Sequence, residues 1–176
     1  MIYHQLSPAD LASVEYAARR CVDRHAKAGS KHIQGLARDE VRDLDNNEMF
    51  FGTEVALARH LKVAYEFVTC RQTHEYPDVA GYEVRGTKWR SGRLIVTPHD
   101  YLNRPFALAR WPERRSPVEL CGWATGYRVK QEGSWEVHRE GGGCWYLEAK
   151  YLESIVSAYP LGPREMFYEP PRRRET

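Results

Sequence analysis

The chain has no run of about 18 apolar residues, so no bilayer-spanning helix is expected. Its opening residues, Met1-Ile2-Tyr3-His4-Gln5, lack a basic segment followed by an apolar stretch, and no secretory signal is expected. Cysteine is sparse. Cys21, Cys70, Cys121 and Cys144 are scattered rather than clustered, which argues against a disulfide framework and for buried free thiols in a reducing compartment. The cytoplasm is therefore the expected location. Charge of one sign is nearly absent as well. A net charge of +2 and a pI near 8.3 set the chain apart from histone-like polycations, yet leave room for a local basic groove. There is no internal repeat.

What remains is an ordinary globular composition, 42% apolar over 176 residues, long enough for one domain with a core. A helix is predicted from about Pro8 to Ala28. Ser7 is its cap, Pro8 suits its first position, and Asp10 is an acid in its first turn. Leu11, Val14, Ala18, Cys21, Val22 and His25 fall near one face of it. Residues 31–46 are strongly charged, with room for a short helix. A second clear helix is predicted from Asn47 to Lys62 on the stripe Phe51, Val55, Ala58 and Leu61. From Tyr82 the texture turns to strands: Tyr82–Lys88, Arg93–Thr97, Phe106–Trp111, Val118–Gly122 and Cys144–Ala149, with Ser91-Gly92 as a hairpin turn between the first two. A short helix is expected over Lys150–Ala158. The predicted fold is α+β: a mixed, largely antiparallel central sheet with the N-terminal helices packed on it. Residues 1–159 are expected to form one domain, and 160–176, with four prolines and Arg172-Arg173-Arg174, an extended tail.

The segment Pro77-Asp78-Val79-Ala80-Gly81-Tyr82-Glu83-Val84-Arg85 holds the densest candidate chemistry. Strand alternation places Glu83, Arg85 and Thr87 on one face, so an acid and a base point together. Paired carboxylates hold a hard cation, which polarises a phosphoryl oxygen and acidifies a bound water, while a nearby cation steadies the added charge. Pro77-Asp78 followed by Glu83-x-Arg85 resembles the motif of the PD-(D/E)XK nuclease superfamily, with arginine where that superfamily usually has lysine. Glu54, flanked on its helix by Phe50, Phe51, Leu57 and Ala58, resembles the helical glutamate that many members carry before the acidic strand. The resemblance covers about residues 47–150.

That resemblance implies a restriction-endonuclease-like core and a DNA-cleaving endo- or exodeoxyribonuclease of phage or mobile-element type. It implies Mg²⁺ or Mn²⁺ held by Glu54, Asp78 and Glu83, with Arg85 or Lys88 at the phosphate. Arginine hardly deprotonates and cannot serve as a base. Lys88 would replace it only if a bulge at Gly86 turned it to the side of Glu83. The alternative expectation is an inactive module of the same fold that binds nucleic acid or a protein partner, a second copy included. A further possibility is zinc held by Cys21, His25, Cys70 and His74. Five tryptophans, Trp89 among them, are candidates for base stacking as well as for the core.

Overall fold

Ser7 and Asp10 begin the first helix, α1 (Pro8–Lys27), through a reciprocal pair of bonds. The Asp10 N–H donates to Ser7 Oγ at 3.1 Å, and the Ser7 N–H to Asp10 Oδ2 at 3.2 Å. This is a capping box, and it satisfies N–H groups that the helix itself leaves open. Arg59 Nη2, near the end of α2 (Glu40–Leu61), donates to Asp10 Oδ1 at 2.7 Å, so the start of one helix meets the end of the other. The computed structural model describes residues 1–27, 40–67, 77–137 and 142–158. The tail 160–176, Cys70 and His74 lie outside them, as does the side chain of His25, so the zinc expectation falls there too.

The stripes read from the sequence are buried: Val14, Ala18 and Cys21 on α1, and Phe51, Val55, Ala58 and Leu61 on α2. The second helix, however, starts seven residues before Asn47. Its charged first turns place Leu44 against the core. Two apolar residues in two turns, Val41 and Leu44, are too thin a pattern to announce a helix.

The described strands are β1 (Ile2–His4), β2 (Glu83–Thr87), β3 (Arg93–Val96), β4 (Pro105–Arg110), β5 (Val118–Thr125), β6 (Ser134–Val137) and β7 (Gly143–Glu148). A third helix, α3 (Gly126–Glu132), follows β5. The strands form two mostly antiparallel sheets, ordered β1-β5-β4-β2 and β3-β7-β6. Two expectations are thereby corrected. Ser91-Gly92 does turn the chain, with the Gly92 N–H donating to the Trp89 carbonyl at 2.9 Å, but β2 and β3 are not a hairpin. β3 crosses to the other sheet, and β2 pairs in parallel with β4. The expected helix over Lys150–Ala158 is two 3-10 turns, Ala149–Tyr151 and Ile155–Ser157, separated by Glu153, which bridges to Trp123. β1, α3 and β6 were not anticipated. Each is short, and none carries a long apolar period.

Alternation along β4 shows how the layers stack. Ala107 and Ala109 join Val84, Val118 and Leu120 under the helices. Phe106 and Leu108 point the other way, to Leu94, Val96 and Leu147 of the second sheet and Val129 of α3. The first sheet is thus covered by α1 and α2 on one face and by the second sheet and α3 on the other. A bulge lies at Cys121 in β5, where Leu108 pairs with Gly122 and Ala109 with Leu120. Cys121 and Cys144 are free thiols, and burial pushes the Cys121 thiol up to about 11. No described helix is long and apolar enough to cross a membrane.

Candidate functional site: an acid–arginine cluster beside a basic groove

Among the described strands β2 lies at the edge of its sheet, and its two faces meet different layers. Gly86 lies under α2, where an added Cβ would stand 2.9 Å from Thr53 Oγ1 and 3.5 Å from Phe50 Cδ1. Lys88 Nζ reaches Asp45 Oδ2 at 3.7 Å, so α2 runs antiparallel to β2. Glu83, Arg85 and Thr87 face the other way, toward the flank of the space between the sheets. The apolar filling there gives way to charge.

A tight turn brings the motif's first acid to its second. Val79 and Tyr82 exchange backbone hydrogen bonds at 2.8 and 3.1 Å around Ala80 and Gly81, whose φ values are 47° and 93°. Positive φ at both central positions marks a two-residue hairpin turn with the twist of the flanking strands. The chain doubles back, and the Val84 N–H donates to Asp78 Oδ2 at 2.8 Å. Asp78 is near enough for its charge to act on Glu83.

Glu83 is 8% exposed, and its principal partner came from a stretch the motif does not include. Arg104 Nη1 donates to Glu83 Oε1 at 2.5 Å, while Arg85 Nη1 stands 4.0 Å from Glu83 Oε2. Arg85 Nη2 in turn donates to Asp100 Oδ1 at 2.8 Å, and its Nε to the Ile95 carbonyl at 3.3 Å. The Thr97 N–H and hydroxyl both bond Asp100 Oδ2, at 2.7 and 3.0 Å, which fixes that carboxylate. Each guanidinium also lies over a ring, Arg85 at 5.1 Å from the centroid of Phe106 and Arg104 at 4.3 Å from that of Tyr101. Burial raises the Glu83 pKa above the ordinary glutamate value. The Asp78 charge adds to the rise, and Arg104 and Arg85 oppose it.

The five expected site residues therefore part company. Asp78, Glu83 and Arg85 come together. Glu54 stands on the helical side, where it accepts a hydrogen bond from the Tyr65 hydroxyl. Lys88 does not turn toward Glu83. β2 keeps an unbroken register from Glu83↔Phe106 to Thr87↔Arg110, so there is no bulge at Gly86 of the kind that would turn Lys88 to Glu83, and Lys88 pairs at the surface with Asp45. Among the described residues, no three His, Cys, Asp or Glu side chains are placed to hold one metal ion. The donor set as arranged suits Mg²⁺ poorly: Glu83 Oε1, which an ion would need, holds the Arg104 guanidinium, and Arg85 stands beside it as a second cation. Arg104 and Asp100 were missed because the parallel pairing of β2 with β4 was missed; it sets Arg104, one residue before β4, beside Glu83. Thr97-x-x-Asp100 is a side-chain-to-backbone turn signal that could have pointed to Asp100.

Just past this cluster, the end of β2, the turn Trp89–Gly92, the start of β3 and residues 148–150 enclose an open groove of about 800 Å³. It is lined by Arg85, Arg90, Arg93, Arg110 and Lys150 against a single carboxylate, Glu148. Compared with known proteins, the chain matches no family model, no curated protein and no solved structure.

Proposed function

We propose that this is a nucleic-acid-binding protein on a restriction-endonuclease-like core, with DNA as the intended partner, in which an arginine occupies the carboxylate that a metal would require. The observation that carries this is the 2.5 Å contact of Arg104 with the buried Glu83, on the same strand whose far end opens into a cationic groove. A buried carboxylate paired with a guanidinium is a structural element, and breaking it is costly. The groove supplies the electrostatic footprint of a polyanion partner. The test is a set of labelled DNA substrates, single-stranded, duplex and nicked, incubated with and without Mg²⁺ and analysed on native and denaturing gels. Shifted bands without product are expected. Absence of any shift overturns the proposal.

A second reading keeps the enzyme. The hairpin at Ala80-Gly81 sets Asp78 where its charge raises the Glu83 pKa, as two carboxylates sharing one site would. On that reading the chain is a metal-dependent deoxyribonuclease with Glu54, Asp78 and Glu83 toward the metal and Arg85 at the phosphate. Mg²⁺-dependent products that vanish in Glu83→Gln decide for it.

A further inference from the structure

The groove beyond β2 has a feature that a plain charge patch lacks. Trp89 stands at its rim with 76% of its surface exposed, the most open of the large aromatic side chains described. Its place is set by backbone rather than by packing of its own ring. The Trp89 N–H donates to Thr87 Oγ1 at 3.1 Å, and the Gly92 N–H closes the turn on the Trp89 carbonyl. Only glycine permits this fold-back, because a Cβ on residue 92 would lie 2.2 Å from Thr87 Cγ2. The indole is thus held at the groove and left uncovered.

The cations around it are arranged for use from the groove side. Arg93 is held from behind by Glu136 at 2.7 Å, Arg110 by Glu119 at 2.5 Å, and Arg85 by Asp100, and none of these three acids lines the groove. Arg93 also lies over Tyr146, its Cζ 3.7 Å from the ring centroid. Lys150 pairs with Glu148 at the exposed rim. Arg90 is exposed and makes no ion pair with a described residue. Fixed guanidinium forks are suited to phosphate oxygens.

We infer that this groove binds a single-stranded nucleic acid, with backbone phosphates on Arg90, Arg93 and Lys150 and one base stacked on Trp89. The inference rests on the nucleic-acid reading above and narrows it to a strand form and a site. A cationic track interleaved with an open aromatic face is how sequence-tolerant single-strand binding is built, since every base has a π-face. In a duplex those faces are stacked away. Reading a duplex through its grooves calls for a protruding helix or ribbon, whereas the groove is walled by sheet strands and tight turns.

The test is fluorescence anisotropy of a labelled mixed-sequence strand, run as DNA, as RNA and as a DNA duplex, on the full chain and on Trp89→Ala, Trp89→Phe and Arg90→Ala. The single strand is expected to bind more tightly than the duplex, and the better-bound of DNA and RNA is the ligand. Trp89→Ala should weaken single-strand binding by about tenfold and leave the residual duplex affinity unchanged, while Trp89→Phe retains most of it. Arg90→Ala should make the salt dependence shallower by about 0.7 in the log–log slope, one phosphate contact. Melting temperatures of the variants check that they fold. A duplex bound as tightly as the strand, or Trp89→Ala binding like the parent, overturns the inference while leaving the nucleic-acid reading standing. Inorganic polyphosphate competing as well as the strand overturns it too, since charge alone would then suffice. No binding to any of the three forms defeats both.

Discussion

The two ends of the β2 segment carry similar residues to opposite ends. At the Glu83 end, Glu83, Arg85, Asp100 and Arg104 each face an opposite charge across a buried or half-buried contact. At the Trp89 end, Arg90 and the indole stand open to solvent on a turn set by glycine and threonine, and Lys150 is exposed across the groove. Arg85 belongs to both, since it bonds Asp100 behind the strand and lines the groove in front. The difference teaches that charge type alone does not mark a site. Desolvated charges are committed to one another, and only the cations presented to solvent can meet a ligand's phosphate.

The largest expected effect comes from breaking the committed end. Glu83→Ala removes the carboxylate that holds Arg104 and should destabilise the fold by about 3–5 kcal/mol, the usual result of leaving one buried partner uncompensated. For a chain of this size that lowers the melting temperature by roughly 10 °C. Replacing both partners with apolar residues, as Glu83→Leu with Arg104→Met, should restore most of the loss. If Glu83→Ala melts like the parent, the cluster is not structural.

Gly92→Ala attacks the open end through its support. The clash with Thr87 should cost about 1–3 kcal/mol and displace the turn that carries Trp89. Oligonucleotide affinity should then fall although no cationic or aromatic side chain has changed. Unaltered affinity would detach the turn from the binding site.

A smaller effect separates the two ends by pH. The folded pKa of Glu83 lies above its unfolded value, mainly through burial. Its contribution to stability is therefore fully present below the ordinary glutamate pKa and is lost as pH rises through the raised folded value. Relative to Glu83→Gln, the parent should lose stability as pH rises from the ordinary glutamate range through the raised folded value in denaturant titrations. This does not conflict with the cost of Glu83→Ala. A buried pair can fall short of repaying its own desolvation and still be costly to leave half-made. A parent-minus-variant difference that rises over that range contradicts the assignment. The smallest effect is at the hairpin. Ala80 has a φ of 47°, and Ala80→Gly should stabilise by about 0.5 kcal/mol, relief of the left-handed conformation partly offset by unfolded-chain entropy. A loss of stability would show that the Ala80 methyl packs usefully.

How much was legible in the sequence follows the same division. The apolar stripes of α1 and α2 could be read because burial repeats at the helix period. So could the meeting of Asp78, Glu83 and Arg85, which depends on a local turn and on alternation. Arg104 and Asp100 could not. They reach Glu83 and Arg85 only through the excursion of β3 into a second sheet and the parallel return of β4, and no local pattern encodes that topology. Lys88 was held open between two faces, and the regular register of β2 decided it. The basic groove draws on residues 85 to 150, a gathering that sequence spacing does not display.

The central claim is that the Glu83 carboxylate belongs to Arg104 rather than to a metal ion. The most direct measurement is the melting temperature of the protein with EDTA, with millimolar Mg²⁺ and with millimolar Mn²⁺, taken on the parent and on Glu83→Gln. A resident metal stabilises the folded state by mass action, by about 2.7 kcal/mol at a hundredfold excess over its dissociation constant. An arginine-paired carboxylate predicts the same melting temperature in all three conditions for both proteins. A rise of several degrees with either ion in the parent, abolished in Glu83→Gln, would contradict the claim and restore the metal site.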